Sequence, residues 1–431
     1  MIKLIEHIQY YPSNSELCNS LLEHNLGVYF KNFKNNSENN CFSIRISEET
    51  DQSRKVSIET SFYIGLNYIP ELDKRILIEP KINTKEEEID VLNMLFEALT
   101  ESENFAYIEN LYEIDFKSPL INIHQKNDQL TPFLIIQFIQ ILQKLVKKGL
   151  KKSYYKVEKN LTSRIKGKVL INKQIKTNIA KNKFLDTQCA YEEFGFNTSE
   201  NQFLKYVLSF IKNHLNNYQS DFLNNLKDNI NFIASAFNNV DTAKFSSIKS
   251  KETNPLYAEY NQLFEIGNII LKLEGFNNYN HSVEERNIPP YWIDMSQLFE
   301  LYVYKKLREI FPGKNEVIYH RKFAGGKETD IIINSNNYKA VIDCKYKPRY
   351  HEVDPSLEDK RQIAGYCRLK SVYKFLKKPY DEVVTGLIIY NNQRASETIQ
   401  LSNLNSSPIN EYIDMYKLGI ALPIITDNNV I

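Results

Sequence analysis

The sequence predicts a multidomain α/β protein. A β-rich N-terminal domain is expected over 1–125, a helical central domain over 126–285, and a C-terminal domain ordered α-β-β-β-α-β over 286–431. Three observations carry that prediction. At 431 residues the chain exceeds what one hydrophobic core usually organises. The first eighty residues hold short alternating apolar runs, whereas the centre holds apolar residues at helical spacing. In the last third the hydrophobic period switches between 3.6 and 2 at turn-forming residues.

The N-terminal strands are expected in GVYFKNF, CFSIRIS, KVSIETSFYIGLNYI and RILIEPKI, with NFKNNSENN as a hairpin tip. From Lys85 to about Thr100 the spacing is helical, and ENFAYIENLYEIDF fits either period. PFLIIQFIQILQKLVKKGL places Pro132 near a helix start and Gly149 at its C-terminal stop. SENQFLKYVLSFIKNHL is a helix capped near Thr198 or Ser199, and another runs from Leu256 to Leu273. A boundary is expected at HSVEERNIPP. Beyond it, IDMSQLFELYVYKKLREIF is helical, with Met295, Leu298, Phe299, Tyr302, Val303, Leu307 and Ile310 on one face. NEVIYHRKF, ETDIIIN and YKAVIDCKYK follow as strands joined by the turns AGG and NSNN. SLEDKRQIAGYCRLKSVYKFL is a helix, and DEVVTGLIIYNN is the last strand.

With 42% hydrophobic and 25% charged residues, the composition is that of a soluble globular protein. No apolar run approaches the length needed to cross a bilayer, and MIKLIEHIQYYPS lacks a signal-peptide core, so a cytoplasmic location is expected. Cysteines 18, 41, 189, 344 and 367 are odd in number and scattered with no C-x-x-C pair, so neither a disulfide framework nor a zinc site is indicated. The formal charge of +1 hides a segregation. From Lys144 to Lys183 there are 13 Lys and Arg164 against Glu158 alone, a net 14 − 1 = +13. Such a block suggests a polyanion partner; the plainer alternative is a solvated helical face. Lys147, Lys148, Lys151, Lys152, Arg164, Lys166 and Lys168 are the candidate DNA contacts. Tyr154 and Tyr155 within the block are expected to pack rather than stack on bases.

The chemistry concentrates in AVIDCKYKP, residues 340–348. Period-two geometry sends Asp343 and Lys345 to one side of a strand and Ile342 and Cys344 to the other. Burying either charge unpaired would cost several kcal/mol, so the two form a structural ion pair or part of a site. Counting outward from NSNN in an antiparallel hairpin puts Asp330 opposite Asp343. Two carboxylates and the Cys344 carbonyl are hard oxygen donors suited to Mg²⁺, with Mn²⁺ the alternative. Lys345 would orient a metal-activated water or stabilise charge on a phosphate. Glu300, flanking the apolar face of the preceding helix, would reach toward Lys345 or the metal. Gln362 and Tyr366, four apart, share a helical face. His320 and His351 are expected to be non-ligands, because no H-x-x-x-H spacing occurs.

The pattern D-x12-D-x-K, with Thr329 in place of the nominal Pro, resembles a PD-(D/E)xK nuclease core. Gln362-Ile-Ala-Gly-Tyr366 is similar to the Q-x-x-x-Y element of RecB-like members, which contacts the DNA backbone. More narrowly, the chain resembles the McrC family, the nuclease subunit of McrBC-type modification-dependent restriction systems. The likeness rests on IDMSQLFELYV, ETDIII, VIDCKYK, RIKGKVLINKQI, DTQCAYEEFGFNTSENQFLKYVL and FYIGLNYI…LIEPKI; Arg164-Ile-Lys-Gly167 stands where the family usually has Arg-Gly. The resemblance implies Asp330 and Asp343 as metal ligands, Lys345 as the catalytic lysine, and Glu300, Gln362 and Tyr366 in support. It also implies a restriction endonuclease subunit that cuts DNA when docked, through its β-rich region, on a ring-forming AAA+ GTPase. Whether two such complexes meet for double-strand cleavage is left open by the sequence. Lys347 and Arg349 are candidates for stimulating the partner's nucleotide hydrolysis. No G-x-x-x-x-G-K-[ST] loop appears, Gly326-Lys327 and Gly167-Lys168 lacking both the upstream glycine and the following Ser or Thr, so no nucleotide is expected on this chain. A stand-alone RecB-like repair nuclease and a non-enzymatic activator of an AAA+ NTPase are the alternatives.

Overall fold

A computed structural model describes residues 2–11, 28–48, 54–70, 73–84, 87–124, 130–214, 222–245, 247–249, 252–277, 285–323, 326–401, 404 and 407–425. Cys18, the first four residues of the HSVEERNIPP boundary (281–284) and part of the AGG turn lie outside the described residues. Two compact units result, Met1–Leu130 with Ser282–Ile431, and Thr131–His281. Both are mixtures of helix and sheet.

In the first unit, β1 (Ile2–Ile5), β2 (Gln9–Tyr10), β3 (Val28–Asn32), β4 (Asn40–Glu48), β5 (Arg54–Thr60), β6 (Tyr63–Ile69) and β7 (Lys74–Glu79) precede α1 (Val91–Thr100). The ambiguous segment after α1 becomes two 3-10 turns and β8 (Tyr112–Ile114), followed by β9 (Ile121–His124). Strands β2-β5-β4-β3 form one sheet. The second sheet, β1-β7-β6-β14-β8, takes in β14 (Tyr291–Asp294) from far along the chain, while β13 (Glu285–Ile288) pairs with β9. Trp292 is thereby buried among Phe42, Ile44, Ile58 and Ile76. Gly65 makes the junction possible: it has φ +153°, and a Cβ there would stand 2.1 Å from the Tyr291 carbonyl oxygen. No other residue lets β14 lie so close.

The second unit holds α2 (Leu130–Lys148), β10 (Ser153–Thr162), β11 (Lys168–Val169), α3 (Ile171–Thr177), β12 (Asp186–Gly195), α4 (Ser199–His214), α5 (Phe222–Ala236) and α6 (Glu259–Asn277). Helix α2 is long and apolar enough, by length and composition, to cross a bilayer, which corrects the sequence expectation. Here it is a core helix, with Phe133, Leu134, Ile136, Phe138 and Leu142 fully buried. It ends as expected at Gly149, whose φ of +107° suits glycine and whose amide donates to the Leu145 carbonyl at 2.9 Å. The centre is not wholly helical, however. Strands β10, β12 and β11 form a three-stranded antiparallel sheet through the middle of the basic block. The alternation K-V-E-K in 156–159 marks a two-sided strand, masked in the sequence by its charge.

After β14, Asp294 caps α7 (Met295–Ile310) by accepting from the Gln297 amide at 3.0 Å. Then come β15 (Val317–Phe323), β16 (Lys327–Asn334), β17 (Lys339–Lys345), α8 (Leu357–Cys367), α9 (Lys370–Leu376), β18 (Thr385–Asn391) and β19 (Met415–Ile420). The single helix expected over 356–376 is two, separated where Arg368 leaves helical geometry. Strand β19 was not foreseen. Sheet order is β15-β16-β17-β18-β19; the first three strands are antiparallel, and β17, β18 and β19 are parallel. Helices α8 and α9 supply the crossover that a parallel pair needs. Val341, Ile363, Val372, Leu376 and Ile388 pack between them and the sheet.

Candidate active site

Strands β16 and β17 pair with Ile331 opposite Ile342, and one step further along that register Asp330 stands opposite Asp343. The Cys344 amide donates to Asp330 Oδ2 at 2.8 Å, which fixes that carboxylate across the strands. Asp343 and Lys345 share the face of β17 that carries α8, and Lys345 Nζ lies 3.0 Å from Asp343 Oδ2. The same ammonium donates to Gln362 Oε1 at 3.0 Å, and Gln362 Nε2 donates to the Tyr366 hydroxyl at 3.3 Å. The four-residue spacing on α8 thus carries a relay that begins on the strand lysine.

Asp343 is fully buried. Its Oδ1 meets no donor, and Oδ2 faces the Lys345 ammonium as an ion pair outside hydrogen-bond alignment. Burial, and next the charge of Asp330, push the Asp343 carboxyl up to about 8, with Lys345 opposing. Burial also raises Asp330, against the Cys344 amide and Lys345. For Lys345, burial disfavours the ammonium, but Asp343 and Asp330 outweigh it and its pKa is raised. Two buried carboxylates at adjacent register positions, one lacking a donor, are poorly served by a single lysine. A divalent cation fits that deficit. Among the described residues no three His, Cys, Asp or Glu side chains cluster as metal ligands. The residues that could hold the cation are Asp330, Asp343 and the Cys344 carbonyl, a sparse oxygen set of the kind that Mg²⁺ accepts when it keeps several waters.

Of the two directions expected for Glu300, the carboxylate does not pair with Lys345 but lies near enough to Asp330 to feel its charge. Its Oε2 accepts from the Tyr319 hydroxyl at 2.9 Å and pairs with His320 Nε2 at 3.0 Å, rather than engaging Lys345. Adjacent strand residues ordinarily face opposite ways, but His320 has φ +49°, and both it and Tyr319 address one carboxylate while their rings stack at 4.0 Å. Burial pushes Glu300 up to about 7, and Asp330 adds to the rise. Burial works against an imidazolium at His320, yet the hydrogen bond and charge of Glu300 leave its pKa raised. Nothing in the sequence signals a left-handed backbone there. Asp359 was also missed: its Oδ1 is 3.8 Å from Lys345 Nζ and its Oδ2 is 2.7 Å from Lys347 Nζ. Its position three residues before Gln362, on the same helical face, was the available signal.

Lys347 is held by Asp359 and also donates to the Tyr350 hydroxyl at 3.4 Å, so it is not a solvated tail. Arg349 is exposed, its guanidinium 5.7 Å from the Tyr350 ring centroid. In the basic block, Lys148 pairs with Glu259 at 3.1 Å, Lys151 pairs with Glu252, and Lys166 pairs with Glu193 at 3.2 Å. Lys152 lies over the Phe196 ring at 4.7 Å, whereas Lys147, Arg164 and Lys168 are exposed. Tyr154 is 70% exposed, contrary to the packing expected of it, while Tyr155 is half-buried against Glu193. Ile165, Ile171, Ile175 and Phe184 are exposed too, so this surface is apolar as well as basic.

The class these features define is a mixed α/β protein with an aspartate pair and a lysine gathered on neighbouring strands of one sheet. The family model described as McrBC 5-methylcytosine restriction system component matches residues 58–375, and the chain belongs to that family. No curated protein matches it. Among solved structures, a half-complex from a tetradecameric assembly of Thermococcus gammatolerans McrB AAA+ hexamers with bound McrC is similar at 15% identity. It covers 97% of this chain and 94% of that one, with a TM-score of 0.39. A second, the cryo-EM structure of the Thermococcus gammatolerans McrBC complex, matches at 16% identity over 73% of this chain and 89% of that one, with a TM-score of 0.29.

Proposed function

We propose that this chain is the Mg²⁺-dependent endonuclease subunit of its restriction system, with residues 286–431 as a PD-(D/E)xK nuclease domain. The observation that carries the proposal is the convergence of Asp330, Asp343 and Lys345, with Asp343 Oδ1 buried and without a donor. Asp330, Asp343 and the Cys344 carbonyl would hold the metal, which when bound supplies Lewis acidity toward a phosphodiester and a more acidic water. Lys345, held by Gln362 and Asp343, positions its ammonium to stabilise charge developing on the phosphate. Asp359 and Tyr366 keep that relay in place from α8.

In the same reading, Lys147, Arg164 and Lys168 grip the duplex backbone, with Lys148, Lys151, Lys152 and Lys166 partly neutralised or packed by their neighbours. In this reading nucleotide hydrolysis belongs to a separate AAA+ GTPase on which residues 1–125 would dock, as membership of a restriction-system family supports; Lys347 would act structurally rather than on that partner. A cytoplasmic site of action and pairing of two complexes for double-strand cleavage complete the proposal.

The test is cleavage of 5-methylcytosine-containing DNA by the full chain with its GTPase partner and Mg²⁺. Asp343→Ala should lower the rate at least ~100-fold with assembly intact, since metal and electrostatic contributions are each of that order or larger. Full activity in that variant would refute the site. Cutting by the chain alone, without partner or nucleotide, would favour a stand-alone nuclease.

A further inference from the structure

Beyond the aspartates and lysine, a cleft of about 790 Å³ opens where the parallel strands β17 and β18 run out, between residues 348–352, residues 391–394 and the segment after β7. Lys81, Arg349 and Arg394 line it. The carboxylates Glu87 and Glu352 line it too without pairing with these cations, and the buried Glu6 carboxylate, which accepts from the Lys81 amide at 3.1 Å, offsets the Lys81 charge, leaving the two arginines as the cleft's free cations among the described residues. The Lys81 ammonium has no hydrogen-bond acceptor and rests 4.0 Å from the Tyr346 ring centroid. Arg394 reaches only the His351 ring, at 3.3 Å. The local field is positive: burial, then Lys81, Arg349 and Lys347, push His7 down to about 4.

Asn391, the last residue of β18, also lines the cleft and is completely buried. Neither its side-chain oxygen nor its nitrogen has a partner. A buried amide with donor and acceptor both unused is costly unless a ligand satisfies it. A bare anion would use the donor alone, whereas a sugar or base edge uses both. The carboxyl ends of parallel strands are a common place for such ligands, and the volume suits one nucleotide rather than one phosphate. Arg349 follows Lys345 and Lys347 along the chain past β17, whereas Asn391 alternates with Tyr390, the parallel partner of Lys345, so the floor of the cleft is on the other face of the sheet from Lys345.

We propose that this cleft is a subsite for one nucleotide of a bound nucleic-acid strand. Arg349 and Arg394 take its phosphate, and Asn391 takes its sugar or base. The assignment rests on the nuclease reading above. Fluorescence anisotropy of a labelled DNA duplex with the full chain, in EDTA and across a KCl series, tests it. Arg349→Ala with Arg394→Ala should weaken binding at least ~10-fold at physiological salt and reduce the slope of log K against log salt by about 2. Both arginines are exposed, so the double variant should melt as the parent does. An unchanged affinity and slope, in a chain that binds DNA, would overturn the subsite and leave the nuclease reading standing. A parent chain that does not bind DNA would overturn the subsite, while cleavage by the assembled complex tests the nuclease reading separately. Displacement of the DNA by dGMP at strand-equivalent concentrations would assign the cleft to a free mononucleotide and overturn the strand assignment.

Discussion

Replacing Lys345 with Met keeps most of the stem and removes only the charge. The ammonium lies 3.0 Å from Asp343 Oδ2 and 3.8 Å from Asp359 Oδ1. At an effective dielectric near 20, charges 3 Å apart attract by roughly 5 kcal/mol before desolvation is counted. Removing one partner of a buried pair costs about 3–5 kcal/mol when the other must remain charged. Asp343 need not remain charged, because its folded pKa is raised to about 8. A carboxyl with a raised folded pKa contributes stability that is complete below its unfolded pKa, near 4, and is lost as pH climbs through the folded value. At pH 6 Asp343 is protonated in parent and variant alike, and the loss should be about 1 kcal/mol. At pH 9 the parent carboxylate is ionised beside its ammonium, while the variant's carboxyl, with no cation to lower its pKa, stays protonated, so the loss grows by about 1.4 kcal/mol, the linkage value for one pH unit above the folded pKa. For a unit of this size the melting temperature should drop roughly 3–6 °C further at pH 9 than at pH 6. Thermal unfolding in EDTA at the two pH values measures this. An equal shift at both would refute the coupling of Asp343 to Lys345.

Two more outcomes concern the scaffold. Gly65→Ala sets a Cβ against the Tyr291 carbonyl and forces a left-handed backbone on alanine, so it should cost about 3 kcal/mol or more by denaturant titration; a loss below 1 kcal/mol would mean that β14 does not lie on β6 so closely. Tyr154→Ala removes a side chain that is 70% exposed and should change stability by no more than about 0.5 kcal/mol, a larger loss showing that the ring is packed.

Much of the site was legible because strand geometry is periodic. The NSNN turn fixes the hairpin, counting from it pairs Asp330 with Asp343, and period two places Lys345 beside Asp343. Gln362 and Tyr366 were legible for the same reason at helical period. Glu300 was placed on the right helix near Asp330, but its pairing with His320 was not legible, because it depends on a left-handed residue that no periodicity announces. The basic block was taken as helical because its charge obscured the alternation that β10 uses.

The sequence by itself determined what local rules govern: the helices and strands of the last third, the register of the central hairpin, and the residue types that offer hard oxygen ligands beside a lysine. Only the tertiary structure decided which distant segments meet. Trp292 completes the core of the first sheets across more than two hundred residues of chain, and Lys81 joins Arg349 and Arg394 around one cleft. Contacts of that range are set by close packing and by the burial of apolar surface, which depend on the shape of the whole fold and leave no periodic trace in the chain.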